Sequence, residues 1–202
     1  KDFFHLASLR YSKQLGLGLQ PMFEIRLVSP DSQPVDSFSN VQLPVDGGLD
    51  DADVIILPAY WDDFDNLLQR YPQVLPWLRE QHARGAVLCA EASGVFWLAE
   101  SGLLDGKEAT TYWRFFNSFA ERFPKIRLNQ DKHLTDADNI YCAGGATSAC
   151  DLYIYLIEHF CGANVARAVS RDILYEVQRN YTPGRMGFGG QKLHQDLIIL
   201  QI

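Results

Sequence analysis

The sequence lacks any apolar run of the ~18–20 residues that a membrane span requires. It shows no secretory leader: Lys1-Asp2-Phe3-Phe4-His5 reads as the inside of a folded element, and the missing initiator methionine points to a trimmed N-terminus. Basic residues are in deficit. Eighteen Lys and Arg stand against 25 Asp and Glu, a net charge of −7, which argues against this chain gripping nucleic-acid phosphates by itself. Cysteine is scarce. Cys89, Cys142, Cys150 and Cys161 show no C-x-x-C spacing and no accompanying histidines in a zinc pattern. The expectation is buried, reduced thiols in a cytoplasmic protein, with no metal and no cofactor. No internal repeat or low-complexity tract is present. The glycine-rich run Gly184 to Gly190 has no strand before it and no G-K-[ST], so it is not a phosphate loop.

What is present is a 47% apolar chain of 202 residues, enough for one domain with a sizeable core. Elements alternate along it. Phe3 to Leu15 reads as a helix and Phe23 to Val28 as a period-two strand. Val35 to Leu49 reads as short strands with a turn at Asp46-Gly47-Gly48, and Asp53 to Pro58 as a buried strand. Phe64, Leu67, Leu68 and Tyr71 form a helical stripe behind Asp62 and Asp63, where the helix dipole favours negative charge. Val74, Leu75, Leu78 and His82 form the next stripe, with His82 on its core-facing side and Gly85 ending it.

Further on, Thr110 or Thr111 is expected to cap a helix carrying Tyr112, Phe115, Phe116, Phe119 and Phe123. Lys125 to Asn129 alternates and is expected to pair with Lys132 to Thr135. Asn139 to Ala143 reads as a strand ending at Gly144-Gly145. A helix follows with Ala149, Leu152, Tyr153, Leu156, Ile157 and Phe160 on one face and Asp151 near its start, and Asn164 is expected to cap a last helix through Leu174. Strands alternating with helices imply a mainly parallel sheet with helices on both faces.

The most informative stretch is Gly85 to Lys107. Ala86 to Ala90 is a short apolar strand, Glu91-Ala92-Ser93-Gly94 a tight turn, and Val95 onward a helix. That is the layout of a nucleophile elbow, in which a reactive side chain sits at a strand tip above a helix N-terminus. The turn offers only Ala92, and a methyl group attacks nothing. Ser93 reads either as a displaced nucleophile, which would need a positioned base, or as a helix cap. Glu91 reads either as a general acid or base, or as a structural carboxylate at a helix start.

In open α/β sheets ligands bind beyond the C-terminal strand ends. This rule selects Tyr60, Trp61, Glu91, Ala92, Ser93, Gly145 and Ala146, with Tyr112 and Trp113 as neighbours. Tyr60 and Trp61 either wall a pocket or pack under the following helix. Tyr112 lies on an apolar stripe, Arg114 either reaches a ligand carboxylate or, by preference, faces solvent, Asp151 is expected to play a capping or dipole role, and His133 and His194 to be isolated at the surface.

Several runs together resemble a known family. These are Leu75-Pro76-Trp77-Leu78-Arg79 with Gly85, the segment from Leu98 to Gly106, Ala109 to Arg114, Ala143 to Asp151, and Gly189-Gly190-Gln191. The chain resembles the DJ-1/PfpI-like (class I glutamine amidotransferase-like) domain fused to AraC-type transcription regulators. The resemblance implies a flavodoxin-like three-layer sandwich over 1–180. It implies a tail, 181–202, leading toward a helix-turn-helix domain outside this sequence.

The chain departs from the family's pattern in several places. Ala92 stands where the family has cysteine, Tyr112 where it has the histidine of an H-W pair, and Ala59-Tyr60 where a Gly-Gly supplies oxyanion donors. The family's first strand, with its acidic residue, does not precede Lys1. The expected function is therefore a non-catalytic, cytoplasmic sensor and homodimerisation domain for a small metabolite, reaching DNA only through the further domain. The alternatives are a hydrolase or hydratase with a substituted nucleophile, and a dimerisation scaffold without a ligand.

Overall fold

The computed structural model describes residues 1–18, 20–37 and 41–176. Expectations for 177–202, including the Gly184 to Gly190 run, Gly189-Gly190-Gln191, His194 and the apolar end Leu197 to Ile202, fall outside the described residues. Among those described, the chain divides into two compact units, one made of 1–26 with 147–176 and the other of 27–146.

The second unit is built on a four-stranded sheet ordered β3-β4-β8-β7. Its strands are β3 (Val54–Leu57), β4 (Val87–Glu91), β7 (Leu134–Ala137) and β8 (Ile140–Ala143). β3, β4 and β8 are parallel, and β7 returns antiparallel beside β8. This is the expected α/β architecture, a mainly parallel sheet with flanking helices. Two small pairs lie outside it. β1 (Val35–Asp36) and β2 (Gln42–Leu43) are antiparallel, while β5 (Glu108–Ala109) and β6 (Arg127–Leu128) are parallel.

Side chains alternate across the sheet. Leu88 and Ala90 of β4 and Ile140 and Cys142 of β8 enter one core cluster with Ile55. Helices α2 (Phe64–Arg70), α3 (Val74–Ala83), α4 (Val95–Glu100) and α5 (Phe116–Arg122) supply most of the rest of it. Asp63 caps α2 as the charge pattern suggested, accepting from the N–H groups of Asp65 and Asn66 at 2.9 and 3.2 Å. The aromatic centre is Phe96. Its ring lies edge-on to Phe64, Phe115, Phe119 and Phe123 at 5.2–5.7 Å between centroids. The Arg122 guanidinium roofs this cluster 5.1 Å from the Phe64 ring, held there by Asp65 and Glu100.

Five local expectations are corrected. Phe23 to Val28 forms no strand beyond a single Val28–Gly47 bridge. Side chains take its backbone groups: Ser8 Oγ accepts from Phe23 N–H and Asp46 Oδ2 from Leu27 N–H. The Lys125 and Lys132 segments do not pair with each other, because β6 joins β5 and β7 joins β8. Thr110 and Thr111 cap nothing. The helical segment there starts as a 3-10 turn at Trp113 without a side-chain cap. His82 is half-buried, not core, with Nε2 2.8 Å from the Asp138 carbonyl, and the buried polar residue of α3 is Gln81. Asn164 is inside α7 (Ala163–Asp172), where Gly162 precedes the first residue and no side chain caps.

The first unit holds α1 (Asp2–Leu15), α6 (Ala146–Cys161) from Thr147 onward, and α7. Phe4, Phe23, Tyr153 and Phe160 pack edge-on within it, and Arg10 pairs with Asp172. No helix among the described residues is long and apolar enough to cross a membrane.

Candidate functional site

The elbow is built as its layout suggested, with the strand shifted by one residue so that Glu91 ends β4. Ala92 follows at φ +48°, a left-handed conformation that costs an alanine roughly 1–2 kcal/mol. The 3-10 turn Ala92–Gly94 then leads directly into α4. The strained turn of a nucleophile elbow is thus present with a methyl group at its apex.

Three contacts fasten this turn. The Ser93 hydroxyl donates to the Tyr60 carbonyl and accepts from the Tyr60 N–H, each at 2.8 Å. Thr111 Oγ1 donates to the Ala92 carbonyl at 2.7 Å. Gly94 sits so close to the end of β3 that a Cβ there would lie 2.4 Å from the Leu57 carbonyl oxygen and 2.7 Å from that of Pro58. Ser93 is therefore neither cap nor poised nucleophile. Its hydroxyl is committed in both directions, it is 3% exposed, and no imidazole is among its bonded partners. The Tyr60 N–H, at the turn where the resemblance implied oxyanion donors, is spent on Ser93. We expect Ser93→Ala to strand the Tyr60 N–H and carbonyl and to cost about 1–3 kcal/mol in urea unfolding with an unchanged m-value.

The remaining candidates surround this floor unevenly. Glu91 faces Ala143 across the parallel β4–β8 ladder, which brings it beside the strand tip at Gly144-Gly145. Gly144 allows close packing there, since a Cβ would come within 3.2 Å of the Thr111 carbonyl. Tyr112 and Trp113 are half-buried with ring centroids 5.7 Å apart, and the Arg114 guanidinium lies over Trp113. The Tyr60 ring stacks on Phe64 at 6.0 Å, and burial pushes its phenol well above the usual tyrosine range. Trp61 is 59% exposed and Ala146 is exposed at the first residue of α6. Thr111 and Gly94 are the contributors that sequence reasoning missed. Thr111 carried a local signal only for capping, and nothing in the sequence showed how near Gly94 comes to β3.

Burial pushes the Glu91 carboxyl up to about 7 from its ordinary 4.5. The folded state therefore favours the neutral acid. Below pH 4.5 both folded and unfolded chains carry the proton and the shift has no effect. Between 4.5 and 7 the unfolded chain ionises first, so stability falls as pH rises, and above 7 the loss is complete. We expect Glu91→Gln to match the parent protein in urea midpoint at pH 4 and to exceed it at pH 8.

The two sheet cysteines are poor nucleophiles. Burial raises the Cys89 thiol and pushes Cys142 up to about 12, which suppresses the reactive thiolate. No cluster of three or more His, Cys, Asp or Glu suited to a metal occurs among the described residues. Grooves of about 600 and 640 Å³ belong to the first unit and are lined by none of the candidate residues.

A parallel sheet, an elbow at the tip of a central strand and a glycine-tipped neighbour define a recognisable architecture. The DJ-1/PfpI family matches residues 19–159. The chain belongs to the DJ-1/PfpI family. It is similar to the HTH-type transcriptional regulator CdhR of Pseudomonas aeruginosa, at 29% identity over 86% of this chain and 54% of that protein. It is also similar to the isonitrile hydratase of Pseudomonas putida, at 28% identity over 77% of this chain and 67% of the enzyme. An AraC family transcriptional regulator from Pseudomonas putida shares the fold, with a TM-score of 0.63 at 19% identity over 86% of this chain and 93% of that one. The chain spans about half the length of the curated regulators it matches.

Proposed function

We propose that this DJ-1/PfpI chain is the ligand-sensing and dimerisation domain of an AraC-type transcriptional regulator, acting in the cytoplasm and reaching DNA through a helix-turn-helix domain beyond Ile202. A small metabolite binds over the elbow near Tyr60, Trp61, Glu91, Ala92, Ser93, Tyr112, Trp113, Gly145 and Ala146. It shifts the population between two arrangements of a homodimer. The observation that carries this reading is the fastened elbow. Its apex is Ala92, its hydroxyl and nearest amide are bonded to each other, and its strained turn is kept without a nucleophile. The similarity to CdhR over most of this chain supports the same reading.

A thermal-shift screen of purified chain against a metabolite library tests it. At least one compound should raise the melting temperature, and Ala92→Leu, which fills the floor, should abolish the shift. A library that moves nothing would sink the sensor reading.

The similarity to isonitrile hydratase favours one second reading, a hydratase with a substituted nucleophile. Under it Ser93 would have to break both bonds to Tyr60 before it could act.

A further inference from the structure

The chain leaves the described fold through an unusual turn. After α7 the Tyr175 N–H bonds to the Ser170 carbonyl at 2.8 Å and the Leu174 N–H to the Arg171 carbonyl at 3.2 Å. This is the double-bonded Schellman ending, whose left-handed position normally takes glycine. Here that position is Leu174, at φ +53° and 93% exposed. A leucine in this conformation is strained, and its side chain packs on almost nothing. The turn redirects the next residue. Tyr175 comes back against the beginning of α6, where its hydroxyl oxygen lies 2.9 Å from the Thr147 carbonyl oxygen and 3.0 Å from Asp151 Oδ1, two acceptors that share its one proton.

Asp151 is 5% exposed and stands on the second turn of α6, one turn past a capping position, and capping was one of the two roles expected of it. Thr147 is the second residue of α6, which opens directly after the Gly144-Gly145 tip of β8. One phenol thus ties residue 175, the last but one of the described chain, to the first two turns of the helix that continues the strand tip.

We propose that Tyr175 is a latch that couples the N-terminal turns of α6 to the turn after α7, so that 147–151 and 173–176 open and close together. The purpose of such a latch rests on the sensor reading above. Its existence does not, because neither the hydrogen bonds nor their test involves a metabolite. A failed library screen with a positive latch result would reject the ligand alone, and the converse would reject the latch alone.

The experiment is amide hydrogen exchange on the full chain, Lys1 to Ile202, comparing the parent protein with Tyr175→Phe. The variant keeps the ring and loses only the hydroxyl. A latch predicts that exchange rises about tenfold at both ends, in 173–176 and in 147–151, while β4 and β8 keep their rates. Asp151→Asn retains an acceptor oxygen and should leave most of the protection in place. A rise confined to 173–176 would reduce Tyr175 to local packing and overturn the proposal. An equal rise in β4 and β8 would overturn it as well, by making the residue a contributor to global stability.

Discussion

Gly94→Ala should lower the melting temperature by about 6–12 °C, the equivalent of about 3 kcal/mol or more in a domain of this size. The added Cβ would lie 2.4 and 2.7 Å from two carbonyl oxygens at the end of β3. These are backbone atoms and cannot swing aside as a side-chain terminus can. Relief requires moving either the elbow or the end of β3, and that strains the two Ser93–Tyr60 bonds that join them. Gly145→Ala is the matched control, since a Cβ there meets nothing within 4 Å and should change stability by less than about 1 kcal/mol. Equal melting temperatures for the two variants would show that the elbow is not pressed against β3.

The second large effect lies in the aromatic cluster. Phe96→Ala should cost about 3–5 kcal/mol, the range for emptying a buried phenylalanine site. Phe96 is 8% exposed and touches four other phenylalanines at its edges, so no single neighbour can collapse into the space. Urea unfolding at neutral pH measures it, and a loss under 1.5 kcal/mol would mean that the cluster repacks. Because Phe96 is the second residue of α4, this variant also separates core support from elbow geometry. The Ser93–Tyr60 and Thr111–Ala92 bonds keep all their donors and acceptors.

Much of this arrangement was legible in the chain. The stripe Phe64, Leu67, Leu68 and Tyr71 and the acidic cap before it are local signals, and both formed. The apolar strand at Val87, the helix from Val95 and the turn between them followed from composition and length. Illegible were the partners of polar groups. Phe23 to Val28 alternates as a strand does, yet alternation cannot name the neighbour to which a strand bonds. Thr111 preceded a helix and looked like its cap, while its hydroxyl goes to a carbonyl 19 residues away in sequence. Ser93 reaches back 33 residues to Tyr60, and Tyr175 reaches back 24 to Asp151. At the site, a turn with alanine at position 92, and no nucleophilic side chain there, could be read directly. That the nearest hydroxyl and amide are bonded to each other could not.

On the proposed reading the elbow binds a small molecule without turning it over. Proton NMR of the purified chain, incubated for hours with any compound that stabilises it and with small isonitriles, distinguishes binding from turnover. Signals broadened by binding and no new resonances are expected. A product that accumulates with the parent protein and disappears with Ser93→Ala would contradict that reading.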